Sequence, residues 1–164
     1  MDILWTPWRL EYILGAKQPN CVLCQKVHSD LEKEEENLLL YRGAHCFIIL
    51  NLYPYNNAHL MVVPYVHESQ LTELKPEVMR EMGDLTQRSL ALLKATYRPD
   101  GFNLGMNLGK VAGAGIDDHL HQHIVPRWNG DTNFMPVISQ TRTMPELLTD
   151  TYKKLKQKAG DFFE

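Results

Sequence analysis

Between residues 119 and 123 every second position is a histidine, in the run His119-Leu-His121-Gln-His123-Ile-Val125-Pro126. Alternate side chains of a strand share a face, so this spacing predicts a strand over His119–Pro126 with three imidazoles on one side, about 7 Å apart. Leu120, Gln122 and Ile124 would point the other way. Three imidazoles side by side are costly to hold for packing alone. Each brings two ring nitrogens that need partners, and protonating all three would set like charges together. Three readings stand on the residues themselves. The row is a chance alternation on a partly solvated sheet face; or all three rings bind one metal, as in three-histidine zinc sites; or the roles are divided among a ligand, a nucleophile and a phosphate donor.

The surrounding sequence supplies a sheet for such a strand. Asn37–Tyr41, His45–Asn51 and His59–Pro64 are short apolar runs separated by Gly43 and by Pro54-Tyr-Asn-Asn57, the pattern of antiparallel strands. Leu71, Leu74, Val78, Met82, Leu85, Leu92 and Leu93 recur at helical spacing among Glu, Lys, Arg and Gln, which predicts an amphipathic helix from Pro76 to Tyr97, stopped by Arg98-Pro99-Asp100-Gly101. Phe102–Leu108 reads as a strand interrupted by Gly105, and Asn129-Gly130 marks a turn. Thr143-Met-Pro145-Glu146 reads as a cap with Pro at the first helical position of a terminal helix running to Gln157. Strands, a long helix, strands and a helix predict an α+β fold with a mainly antiparallel sheet.

The 164 residues make one domain, divided into an irregular arm (1–20) whose Trp5, Trp8 and Tyr12 dock on the body, a core (21–134) and a C-terminal helical segment (135–164). The charged stretch of residues 30–36 reads as a solvated turn or helix end. A net charge of −3 offers no general attraction for nucleic acid. No apolar run approaches the roughly 18 residues of a membrane span, and the N-terminus lacks the pattern of a signal peptide. Three cysteines without a secretory signal fit a reducing, cytoplasmic setting better than a disulfide framework.

Ahead of the histidines lies Asn103-Leu-Gly-Met-Asn107-Leu-Gly109-Lys110-Val-Ala-Gly113-Ala-Gly115. Glycines let backbone N–H groups approach a ligand closely, although a glycine turn with no ligand reads the same way. Cys21-Val-Leu-Cys24 is half of a zinc site, a redox pair or two buried thiols; no thioredoxin-like βαβ pattern surrounds it. Cys46, His45 and His59 read as core or interface residues and His28 as a surface residue.

The histidine row resembles the signature of the histidine-triad (HIT) proteins, and the resemblance extends from about Cys21 to Phe134. The arm and the segments around Asn51 and His119–Pro136 are similar to a bacterial branch described as diadenosine tetraphosphate phosphorylases or hydrolases. The resemblance implies a HIT-like fold, a homodimer and the divided reading of the row. His121 is then the nucleophile that takes a nucleotidyl group, and His123 a donor to phosphate oxygen. Asn107 and the Gly113 backbone would contact phosphate, and Asn51 the ribose hydroxyls. Cys21, Cys24, His67 and His119 match the positions of a structural zinc site in zinc-bearing members. Two departures stand out. Ala114-Gly115 occupies positions that carry Gln and Ser or Thr in many relatives, and Gln122 replaces an apolar residue. Lys110 reads as a solvated lysine or a contact to distal phosphates, and Arg127-Trp128 as packing or a contact to base or phosphate.

The expected function is nucleotidyl transfer or hydrolysis on dinucleoside polyphosphates, adenine preferred, with zinc as a structural ion. A nucleoside phosphoramidate or aminoacyl-adenylate hydrolase would use the same intermediate. A zinc-stabilised binding module for nucleotide or protein, without turnover, is the alternative of another class.

Overall fold

The computed structural model describes residues 21–131 and 144–163. The N-terminal arm, with its aromatic residues, and the stretch holding Thr143 lie outside the described residues. The chain opens with helix α1 (Val22–Val27), a 3-10 turn at Leu31–Lys33 and the single turn α2 (Glu34–Asn37). Strands β1 (Leu39–Arg42), β2 (Cys46–Leu50) and β3 (Leu60–Pro64) follow. A 3-10 turn (Leu71–Glu73) leads into helix α3 (Pro76–Tyr97), then strands β4 (Gly101–Met106) and β5 (Gln122–Arg127), and the chain ends in helix α4 (Leu148–Phe163).

The five strands form one sheet in the order β1-β2-β3-β5-β4, and every neighbouring pair is antiparallel. Strands β2 and β3 are buried along their whole length. Their sequences are accordingly continuous apolar runs rather than alternating ones, as expected of strands covered on both faces. Helix α3 starts with Pro76 at its first position, where the missing N–H is harmless. It stops where Arg98 turns left-handed (φ 48) before Pro99. Its buried stripe includes Val78, Met82, Leu85, Leu92 and Leu93. Glu81, on α3, accepts the backbone N–H groups of Ala44 and His45 and so holds the β1–β2 turn. Gly43 allows this grip, because a Cβ there would lie 2.7 Å from the Glu81 carboxylate and 2.9 Å from the Cys46 carbonyl.

Several boundaries differ from the sequence reading, three of them by three residues or more. The strand predicted from His119 starts at Gln122, because residues 119–121 spend their polar groups elsewhere. Leu120 N–H, for instance, donates to the Glu68 carbonyl (2.7 Å). The last helix starts at Leu148 rather than Pro145. The Glu146 carboxylate just ahead of it is held by the Tyr97 hydroxyl (2.6 Å), the Thr151 hydroxyl (2.8 Å) and Lys154. That helix also runs past Gln157 to Phe163, whose ring stacks on Tyr41 at 4.7 Å. His45, read as a core or interface residue, is exposed beside the turn, whereas Cys46 is fully buried.

Among the described residues, no helix is long and apolar enough to cross a membrane. Leu155, fully buried on α4, anchors that helix to the core. Leu155→Ala is expected to cost about 2–5 kcal/mol, measured as a shift of the urea unfolding midpoint. A change below 1 kcal/mol would mean that α4 contributes little to the fold.

Candidate active site and metal centre

The position of β5 between β3 and β4 decides the geometry. It pairs with β3 through Met61–His123 and with β4 through Gly105–His123. His123 therefore has Met61 on one side and a residue without a side chain on the other. A Cβ built at Gly105 meets nothing within 4 Å, so the space beside the imidazole is open. The Met106–Gln122 pair is the last of the β4–β5 ladder; Asn107, half-buried, directly follows it in the chain, and His121 directly precedes it.

The imidazoles are buried and their tautomers can be read from their partners. A carbonyl only accepts, so His121 donates Nδ1–H to the His119 carbonyl (2.9 Å) and keeps the lone pair on Nε2. His119 likewise donates Nε2–H to the Pro64 carbonyl (2.9 Å), which leaves its lone pair on Nδ1. The third assignment runs through His59. Tyr55 N–H donates to His59 Nδ1 (3.1 Å), so the proton of the neutral ring sits on Nε2 and is donated to His123 Nδ1 (3.0 Å). His123 then carries its own proton on Nε2. The His121 and His123 rings meet edge to face at 4.8 Å.

Burial favours the uncharged form of His59, His119 and His121. It depresses the pKa of His121 below the ordinary value of 6.5, against a smaller upward pull from the bond to the His119 carbonyl. It takes His59 down to about 3, helped by His123 and His121. Protonating His59 would also turn Nδ1 into a donor facing the Tyr55 N–H.

His119 leaves the row and turns to the other cluster. Its Nδ1 lies 3.3 Å from Cys21 Sγ and 3.4 Å from Cys24 Sγ, and His67 Nδ1 lies 3.4 Å from Cys24 Sγ. All four ligand atoms fall within 4.8 Å of one another. A tetrahedral zinc with its usual bond lengths would separate sulfur and nitrogen by about 3.5 Å, so the donor set fits that ion. The electrostatics agree. Burial and the adjacent Cys21 push the Cys24 thiol up to about 11, so paired thiolates here call for a cation. The carboxylate of Asp118 lies 3.9 Å from His67 Nε2, behind the ligand nitrogen.

The other predicted contacts divide. Asn51 comes within reach of the cluster, its amide nitrogen 3.4 Å from His59 Nδ1, while its Oδ1 accepts Tyr53 N–H (3.0 Å) in the turn before Pro54. Gly113 differs from expectation: its N–H donates to the Lys110 carbonyl (2.9 Å), closing a 3-10 turn, and is not presented to a ligand in this conformation. Lys110 pairs with Asp117 (3.5 Å). Arg127 is bound by Asp131 and by Asn103, and Trp128 donates to the Tyr97 carbonyl (3.4 Å). Gln122 is half-buried within the ladder. Sequence reasoning missed His59, which it assigned to core or interface. The available signal was parity: His59 lies two residues before Met61, on the same face of β3 as the residue opposite His123.

A family model of the HIT domain matches residues 32–130. The chain belongs to the HIT family. It is 41% identical over 158 residues to the AP-4-A phosphorylase of Mycobacterium tuberculosis, covering 93% of this chain and 81% of that protein. A Zn-bound histidine triad family protein from Mycobacterium smegmatis superposes with a TM-score of 0.68 at 27% identity, covering 87% of this chain and 94% of that one. A hypothetical histidine triad nucleotide-binding protein from Sulfolobus tokodaii gives a TM-score of 0.68 at 25% identity, covering 86% and 93%. The HIT fold and the resemblance read from the histidine row therefore hold.

The neutral His59 has a consequence for stability. An unfolded chain binds a proton at this histidine near pH 6.5, and the folded chain resists it down to about 3. Stability from this group is complete above the unfolded pKa and is lost as pH falls through that window. Going from pH 7.5 to 5, urea titrations should show a loss of about 2 kcal/mol from this group. His59→Gln, which has no titrating ring, should lose correspondingly less. An unchanged pH dependence would mean that His59 is not the buried neutral base.

Proposed function

We propose that the protein cleaves dinucleoside polyphosphates of the diadenosine tetraphosphate type through a nucleotidyl intermediate on His121, with inorganic phosphate as the favoured acceptor. The observation that carries this reading is the pinned tautomer of His121: Nδ1 is committed to the His119 carbonyl, so only Nε2 can attack. The 41% identity to an AP-4-A phosphorylase supports both the substrate class and the acceptor.

In the first step Nε2 bonds to the α-phosphorus as the P–O bond to the polyphosphate breaks, its electron pair leaving with the oxygen. The imidazolium that forms shares its Nδ1 proton with the His119 carbonyl. His123 holds its Nε2 proton toward a phosphate oxygen, and His59 keeps that proton in place by occupying Nδ1. In the second step a phosphate oxygen attacks the same phosphorus, the P–N bond breaks and His121 is regenerated. Asn107, just past the end of β4, serves phosphate, and Asn51 the ribose side. The Gly113 backbone joins them only if its turn opens.

Cys21, Cys24, His67 and His119 would hold a structural zinc ion. Four protein ligands leave no position for water, so the ion would fasten the N-terminal segment to the residues that precede β5. The free thiols of Cys21 and Cys24 suit a reducing, cytoplasmic setting. Among the described residues strand β4 pairs only with β5; it exposes Leu104, and Leu108 is exposed just past its end, each 48% accessible, and this open edge supports the homodimer reading.

The deciding assay is incubation with diadenosine tetraphosphate with and without inorganic phosphate. ADP plus ATP, formed only with phosphate, is the expected outcome; AMP plus ATP without phosphate would make the protein a hydrolase. The absence of product under both conditions would overturn the substrate assignment and turn attention to phosphoramidates and adenylates. His121→Ala should lower turnover by at least about a thousandfold with the circular dichroism unchanged. Metal analysis should find zinc retained in His123→Ala and lost in Cys24→Ser; the reverse pattern would favour a three-histidine metal site.

A further inference from the structure

The two centres are joined through one residue. His119 presents Nδ1 to the cysteines, donates Nε2–H to Pro64, and accepts the Nδ1–H of His121 on its backbone carbonyl. The next residue continues the tie, since Leu120 N–H donates to the carbonyl of Glu68, which directly follows His67. Both histidines of the metal set thus border the backbone segment that orients the nucleophile. Three of the set are less well fixed by the fold: Cys21 and Cys24 are half-buried and His67 is exposed.

We propose that the Cys21–Cys24–His67–His119 set is a positioning device for His121, fixing through the His119 carbonyl which nitrogen of the nucleophile carries the proton. This rests on the reading of His121 as the nucleophile and gives the metal ligands a catalytic consequence without a part in the chemistry. With four ligands in place, the His119 ring and the peptide after it have one orientation, and the carbonyl faces His121 Nδ1. Remove one ligand, and the carbonyl swings within the freedom of residues 119–121, which no sheet ladder holds. The His121 proton is then shared between its two nitrogens, and the fraction of rings with a lone pair on Nε2 falls. Substrate contacts away from this segment, at Asn51 for example, are untouched.

The experiment compares the zinc-loaded protein, His67→Ala and His67→Cys, at a temperature where all three have native circular dichroism. His67→Cys keeps four ligands. The expected result for His67→Ala is less than one zinc per chain, a kcat lower by about tenfold or more and a KM within twofold. The rate of nucleotidyl-enzyme formation, read by mass spectrometry in single turnover, should fall in step. Imidazole nitrogen NMR should show one His121 tautomer, with the proton on Nδ1, in the loaded protein and in His67→Cys. Both tautomers should appear in His67→Ala. Equal rates of intermediate formation in His67→Ala and the loaded protein, or an unchanged tautomer signal, would overturn the coupling. His121→Ala is the separate control. If it still turns over substrate, the nucleophile assignment fails, whatever the metal content does.

Discussion

A buried imidazole has two nitrogens, and each must find a partner or lose free energy. That requirement organises this protein. His119, His121, His123 and His59 are all buried, and their ring nitrogens are allotted in a fixed pattern to carbonyls, an amide, one another and the cysteine pair. Once the Tyr55 amide faces His59 and the Pro64 carbonyl faces His119, the remaining protons have one consistent arrangement. It leaves a lone pair on His121 Nε2 and a proton on His123 Nε2, on rings whose centres are 4.8 Å apart, the arrangement that the proposed chemistry uses. Neither requires a shifted charge, only neutral rings held in the correct tautomers.

The sheet supplies the frame for that arrangement. β5 lies between β3 and β4, so the residues leading into it are reached from several parts of the chain. His67 and Glu68 follow β3, Asn107 follows β4, and Cys21 and Cys24 stand at the start of α1. Gly105 contributes by having no side chain. A larger residue there would place a side chain across the ladder from His123, in the space that is now open.

Much of this was legible in the sequence, and the rest was not, for identifiable reasons. Helix α3 was bounded correctly at Pro76 and Tyr97 because both stops are local: a proline at the first position and an Arg-Pro pair at the last. The strands around Gly43 and Pro54 were local too. The start of β5 was misread because alternation alone does not distinguish an extended segment from a paired strand; at His119–His121 the partners are side chains and a distant carbonyl. The extent of α4 depends on Phe163 finding Tyr41. The parity of His59 with Met61 becomes informative only once the β3–β5 register is known, because that register puts Met61 opposite His123. Gly113 matched a family position, yet its N–H is taken by the local turn, a matter of backbone conformation rather than residue type.

The insertion of β5 between β3 and β4 also bears on folding. Strands β1 to β3 form a meander of near neighbours, and α3 is stabilised within its own length. The ladder between β3 and β5, by contrast, joins residues as far apart in the chain as Val62 and Gln122, and closing so long a loop costs entropy before any contact repays it. Because β4 reaches the sheet only through β5, this topology makes the β4–β5 pair, with His123 on it, the costly part of the sheet to close. A chain lacking β5 would have the apolar β1–β3 meander with its β3 edge unpaired and no histidine cluster. Catalytic competence and closure of the sheet are acquired in the same event, so a molecule that can react has also hidden its most aggregation-prone edge.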